Sequence, residues 1–312
     1  MAKKAKPRIL TEIKNKQLPE VNYAYHKVIS YSQFSMFQGC PHKWALQYRD
    51  GHYNDSPSIH FTFGTAMHET IQEWLTIMYE ESAAKADSVN LEELFQSKFI
   101  NLYQEEYKKN LDTHYSSPAE LREFFEDGVA ILDFLKKKRS LYFKKKEWHL
   151  VGVEIPILLN LGNNIMYKGY IDLVLYDEKN DKFHVYDIKT STKGWGDKDK
   201  KDETKQMQLV FYKKFFNELY GVSLENIEVE FFILRRKIWE NTDYNITRIQ
   251  LYKPSAGRNK LSKAQKILDN FIKECFDSKG KPLVKEHAKI VSSMCKWCPF
   301  NDKKELCNKQ HS

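Results

Sequence analysis

No stretch of the chain approaches the roughly 18 consecutive apolar residues of a membrane-spanning helix. The opening segment, MAKKAKPRILTEIK, is basic but has no apolar run behind it. Neither a span nor an export signal is therefore expected. There is no internal repeat and no clear interdomain linker. The phosphate-cradling signature G-x-x-x-x-G-K-[ST] is also missing, which excludes a helicase motor of that type within this chain. Cysteine is scarce, five in 312 residues. In a chain without an export signal, disulfides are not expected. Charge is not one-sided either. Fifty Lys and Arg face 42 Asp and Glu, a net +8 that permits a polyanionic partner without requiring one.

What is present suits one large globular domain or two small ones. Hydrophobic residues make up 41% and aromatics 14%, which argues against disorder. Residues 1–30 read as a basic, partly flexible arm, and 31–312 as a single domain. Within it, 31–146 is helical, 147–236 carries a sheet, and 237–312 holds a last helix and a cysteine-bearing tail. Helices are expected over 32–38, capped by Ser32, then from Pro41 through PHKWALQY, and over 65–82, 91–111 and 119–146. The helix at 65–82 shows one apolar stripe of Met67, Ile71, Trp74, Leu75 and Met78. The pattern turns β-like near 147. WHLVGVEIPILLNL, IMYKGYIDLVLYD and KFHVYDIKT read as three strands joined by the turns LGNN and EKND. STKGWGDKDKKDET (191–204) reads as a mobile polar loop, followed by a helix to about 219. IEVEFFILRR is a fourth strand and 261–276 a last helix. This order gives an α/β (α+β) architecture around a mixed sheet.

The third strand places Asp187 and Lys189 two residues apart, hence on one face. If EKND is centred between Lys179 and Asn180, Asp172 lies opposite Asp187. If the preceding turn is centred on Asn163, Glu154 lies opposite Asp172. Opposed like charges weaken a sheet. Either the row faces solvent with an incidental Asp187 to Lys189 ion pair, or it surrounds a hard divalent cation such as Mg²⁺ or Mn²⁺. In the second case the backbone carbonyl of Ile188 offers a further oxygen. The basic runs KKKRSLYFKKK (136–146) and RRK (235–237) are candidates for meeting phosphates.

These motifs resemble the PD-(D/E)xK nuclease superfamily, in particular its RecB-like branch. GYID carries Asp172, DIK carries Asp187, Ile188 and Lys189, QLVFY carries Gln208 and Tyr212, and FGTAMHE supplies an upstream His68. The resemblance implies a restriction-endonuclease-like core. It also implies a Mg²⁺ or Mn²⁺ ion held by His68, Asp172, Asp187 and the Ile188 carbonyl. Lys189 would be catalytic, Gln208 and Tyr212 supporting or DNA-contacting, and Glu154 the acid of the first core strand. The superfamily's Pro before its first Asp is replaced here by Ile171.

Cys275 lies on a helical apolar stripe with Ala264, Leu268 and Phe271, so it reads as a core thiol. Cys40 upstream, with Cys295, Cys298 and Cys307 in the tail, resembles the iron–sulfur exonucleases of this family, the CRISPR-associated and AddB-type members. That resemblance implies a [4Fe–4S] cluster on these four cysteines. The gap between Cys298 and Cys307 is longer than the family leads one to expect and keeps structural Zn²⁺ open. Trp297 and Phe300 are expected to pack around the site. The implied function is a metal-dependent deoxyribonuclease, an exonuclease in recombination, repair or end processing. It would work on DNA, alone or beside a separate helicase or strand-annealing protein, in the cytoplasm of a bacterium or phage-infected host. The alternatives are a non-catalytic DNA-binding protein with the same fold and an Fe–S redox protein.

Overall fold

In the computed structural model, all residues are described except 1–6, 54–55, 145, 239–246, 302, 304 and 308–312. The part of the expected basic arm at residues 1–6 lies outside them, as does Lys145 of the second basic run. The chain divides into two compact units. The first comprises Met1–Gln17, Ser56–Ile157 and Tyr170–Gly257, and the second Leu18–Asp55, Leu158–Gly169 and Arg258–Ser312.

The helices in chain order are α1 (Arg8–Lys14), α2 (Tyr31–Gly39), α3 (Pro41–Trp44), α4 (Ile59–Glu80), α5 (Ala83–Ser88), α6 (Leu91–Lys109) and α7 (Pro118–Lys137). They continue with α8 (Arg139–Tyr142), α9 (Asp197–Lys201), α10 (Glu203–Tyr220) and α11 (Arg258–Cys275). The strands are β1 (Lys27–Ile29), β2 (Trp148–Asn160), β3 (Ile165–Asp177), β4 (Lys182–Ser191), β5 (Ile227–Arg235) and β6 (Ile249–Tyr252). The sheet order is β1-β3-β4-β5-β6, with β2 also on β3. The β3–β4 and β5–β6 pairs are antiparallel, and β4–β5 and β1–β3 are parallel. The parallel β4–β5 step needs a crossover, which α10 supplies. This is the mixed central sheet expected.

In the first unit, α4 is the central helix. Its apolar stripe begins earlier than expected, because Ile59 and Phe63 extend it backwards and both are buried. Gly64, which reads as a break, stays helical. A Cβ there would meet Thr190 Oγ1 at 3.5 Å, an ordinary contact. The stripe packs with α6, α7 and the inward residues Leu173, Leu175, Tyr186 and Ile188 of the sheet. Gly128 lets α7 approach α6 closely, since a Cβ at that position would lie 2.4 Å from Phe95 Cε1. The expected helix 119–146 stops at Lys137. Phe143 then turns inward, edge-on to Trp74 and tilted against Phe232. A continuous helix would instead carry the charged run 136–139 onward.

Other expectations also shift. The cap of α2 is Ser30, whose side chain accepts from Gln33 N, not Ser32. After Pro41–Trp44 the expected helix widens into a π turn over Ala45–Arg49. The polar segment 191–204 is not a plain loop. Its acidic start and basic end complement a helix dipole, and α9 forms there. Trp195 packs on Phe231 with Lys205 Nζ 5.4 Å from its ring centroid. The RRK run is engaged internally. Arg236 pairs with Asp127 and lies 3.7 Å above Phe124, and Lys237 pairs with Glu123 and Asp127.

In the second unit, α11 buries Leu261, Ala264, Leu268, Phe271 and Cys275. Trp44 meets Phe271, Phe276 and His287 edge-on. Cys275 is a core thiol, and burial pushes its pKa up. Among the described residues no helix is long and apolar enough to cross a membrane.

Candidate active site

The β3–β4 ladder runs to Leu173 opposite Tyr186, so Asp172 and Asp187 are the next opposed positions. Asp172 Oδ2 accepts a hydrogen bond from the Ile188 backbone N–H at 2.6 Å, which ties the two strands at this level. Asp187 is 1% exposed. Lys189 Nζ lies 2.7 Å from Asp187 Oδ2, an ion pair at the site. Apart from this ammonium, neither buried Asp187 oxygen meets a hydrogen-bond donor among the described residues. The Lys189 side chain keeps 35% of its surface exposed. From α4, His68 brings Nδ1 to 3.6 Å from Asp172 Oδ2.

Electrostatics follow from this crowding. Burial pushes Asp187 up to about 6; Lys189 opposes the shift and Asp172 adds to it. Burial likewise raises Asp172 to about 6, against Lys189 and the Ile188 hydrogen bond and with Glu154. Burial alone would lower the Lys189 ammonium, but Asp187 and Asp172 outweigh it and hold it above its ordinary value. Burial and the nearby Lys189 lower His68, which favours the neutral imidazole.

Glu154 lies on β2 with φ +48° and an exposed side chain. It reaches the site through a residue that the sequence reading missed. Gln72, one turn beyond His68 on α4, donates from Nε2 to Glu154 Oε1 at 2.6 Å and to the Asp172 carbonyl at 2.9 Å. The i, i+4 spacing of His68 and Gln72 was the available signal. Tyr212 is buried. Its hydroxyl donates to the Tyr170 carbonyl at 2.7 Å and accepts from Gln208 Nε2 at 3.0 Å. These two α10 residues thereby brace the strand just before Asp172.

Among the described residues, no group of three or more His, Cys, Asp or Glu side chains is gathered tightly enough to hold a metal ion. At the acidic row the Lys189 ammonium sits on Asp187 and the Ile188 N–H on Asp172. The donor set nevertheless fits a hard cation, because two opposed carboxylates, one of them 1% exposed, share a single ammonium.

The four remaining cysteines belong to the second unit. Cys40 sits between α2 and α3, Cys295 lies within a 3₁₀ turn (Ser293–Trp297) that Cys298 closes, and Cys307 follows. All four line one cavity of about 510 Å³, and all are free thiols. His42 Nε2 lies 2.9 Å from the Leu306 carbonyl, and the His42 N–H donates to Ala288 O, which holds the tail against α3. Burial raises the Cys307 thiol; Lys289 opposes this and Cys298, Cys40 and Cys295 add to it. Phe300 is buried, as expected for packing. Trp297 is not: it stands exposed with Lys296 Nζ 4.8 Å from its ring centroid.

The sequence profile of the PD-(D/E)XK nuclease superfamily matches residues 28–307, from β1 to the last of the four cysteines. The chain belongs to the PD-(D/E)XK nuclease superfamily. A crystal structure from Eubacterium rectale, named "Putative exonuclease", shares 13% identity over 95% of this chain and 96% of its own, with a TM-score of 0.51. That likeness concerns the fold. No curated protein matches the sequence.

Proposed function

We propose that this superfamily member is a Mg²⁺- or Mn²⁺-dependent deoxyribonuclease of the RecB-like branch. It would act as an exonuclease in recombination, repair or end processing. One observation carries the reading: Asp187 is buried opposite Asp172, and the two carboxylates share the single Lys189 ammonium, 2.7 Å from Asp187 Oδ2. One ammonium between two crowded carboxylates leaves negative charge that a divalent cation would neutralise.

In this reading His68, Asp172, Asp187 and the Ile188 carbonyl hold the ion, with Glu154 at its edge. The bound ion supplies charge neutralisation at a phosphodiester and lowers the pKa of a water. The chain's own residues do the rest. Lys189, kept protonated by two aspartates, places positive charge where a phosphate gains negative charge. His68, kept neutral, is ready to act as a ligand. Tyr212 and Gln208 fix the backbone entering Asp172. At the end of β4 a groove of about 260 Å³ is lined by His60, Phe61, Thr190, Thr192 and Arg236 among others. Phe61 is 77% exposed. An exposed ring with hydroxyls beside it suits a nucleic-acid strand, with a base stacked on the ring.

The test is digestion of linear and circular DNA with Mg²⁺ or Mn²⁺, compared with Lys189→Ala and with EDTA. The expected result is loss of linear DNA, reduced about 10²- to 10³-fold by Lys189→Ala and abolished by chelation. DNA binding without cleavage by the wild type would favour the non-catalytic alternative. A coloured, redox-active protein indifferent to DNA would favour the redox one.

The shared cavity favours a second element of the reading: Cys40, Cys295, Cys298 and Cys307 hold a [4Fe–4S] cluster, or structural Zn²⁺ in its place. Four thiolates suit either. Iron, sulfide and zinc analysis of anaerobically purified protein distinguishes them.

A further inference from the structure

We infer that Gln72 is the positioning residue that sets Glu154 and the Asp172 main chain in register for the divalent cation. This rests on the metal-site reading above. An amide NH₂ has two protons to give, and here one goes to the Glu154 carboxylate at 2.6 Å and the other to the Asp172 carbonyl at 2.9 Å. Both partners are pure acceptors in the charged state, so the amide cannot be turned over without losing both bonds. Gln72 is only 6% exposed, so neither bond is easily replaced by water.

Glu154 has a reason to need holding. Its φ of +48° lies in the left-handed region, inside a strand, for a residue with a full side chain. Such a conformation is strained and persists where the surroundings impose it. The burial pattern of β2 changes at this residue. Before Glu154 every position is half-buried; after it, buried Ile155 and Ile157 alternate with exposed Pro156. The Gln72 bond fixes where the carboxylate ends up, from a helix 82 residues away in sequence. The same side chain grips the residue whose carboxylate lies opposite Asp187, so it joins β2 to β3, two of the three strands of the acidic row.

The experiment is Mn²⁺ titration without DNA, followed by electron paramagnetic resonance at a temperature well below each variant's Tm. It compares wild type, Gln72→Met, Glu154→Ala and the double variant. Gln72→Met keeps length and volume but has no donor. The expected result is a half-saturating Mn²⁺ concentration raised about 10- to 100-fold, with the loss in the double variant smaller than the product of the two single losses. A packing role alone would lower Tm and leave the Mn²⁺ midpoint where it was, and that outcome overturns the inference. So does a double variant whose losses multiply. If Gln72→Met does not fold, Gln72→Glu is read the same way, since it keeps the shape, lacks the donor and sets a second carboxylate against Glu154. A wild type without a saturable Mn²⁺ response overturns the metal reading and this inference together. A wild type that binds while the Gln72 variants match it overturns this inference alone.

Discussion

Asp187 is a buried carboxyl, 1% exposed, with the Lys189 ammonium 2.7 Å from its Oδ2. Together with Asp172 it titrates near 6 in the fold against about 4 in an unfolded chain. A raised carboxyl pKa means the native state binds protons that the unfolded state has released. Its stability contribution is therefore complete below pH 4 and is lost as pH rises through 6. Metal-free protein should lose Tm across pH 4–6 on this account, and Mg²⁺ or Mn²⁺ should restore it above pH 6 but not at pH 4. Thermal unfolding in EDTA and in excess metal measures both. Asp187→Asn should raise the stability of metal-free protein at pH 8 by about 1–3 kcal/mol, with little change at pH 5, while abolishing cleavage. Lys189 loses its partner in that variant, but its exposure lets water take over.

At the scale of elements, α4 does two jobs with two faces. One face packs the core through Phe63, Met67, Ile71 and Trp74. The other carries the exposed Phe61 and brings His68 and Gln72 to Asp172 on β3. Phe61→Ala removes an exposed ring, so Tm should stay within about 1 °C-scale scatter of wild type, as for most surface changes. Single-stranded DNA affinity, read by fluorescence anisotropy in Ca²⁺, should fall by about 1–3 kcal/mol if a base stacks there. The α6–α7 contact makes the opposite case. Gly128→Ala puts a methyl 2.4 Å from the Phe95 ring edge, and overpacking there should cost about 1–3 kcal/mol in urea unfolding. The ring is wedged between Phe99 and Phe125, stacked on both, and has little room to yield.

For the whole molecule, the tail from Lys285 onward is attached mainly by short-range turns and by bonds to α3 and Arg49. Among the described residues it forms no helix or strand longer than one 3₁₀ turn after α11. A group bridging Cys40 to Cys295, Cys298 and Cys307 would close a loop of more than 250 residues, and closure of long loops removes the most chain entropy. Cys298→Ser should therefore make the tail a preferred site of limited proteolysis while the sheet region resists. A cleavage pattern identical to wild type would argue that the thiols hold nothing.

Much of the site was legible because strand periodicity is local. Asp187 and Lys189 two apart, and two turns with recognisable residues, were enough to bring Asp172 opposite Asp187. Cys275 was legible for the same reason, from a helical stripe. The three-residue β1 and four-residue β6 left no readable alternation, and α9 was hidden in a charged segment whose ordering depends on Trp195 packing on Phe231. The RRK run looked available for phosphates until Asp127 and Glu123, more than a hundred residues earlier, were seen to engage it.

The sequence by itself determined the superfamily, the order of its longer elements and the shared face of Asp187 and Lys189, because these depend on neighbours in the chain. Only the tertiary structure decided that Asp187 is buried against the Lys189 ammonium, that Glu154 turns left-handed, and that Gln72 ties it to Asp172. Those facts depend on which distant groups exclude water and which supply a proton, and no local pattern records that.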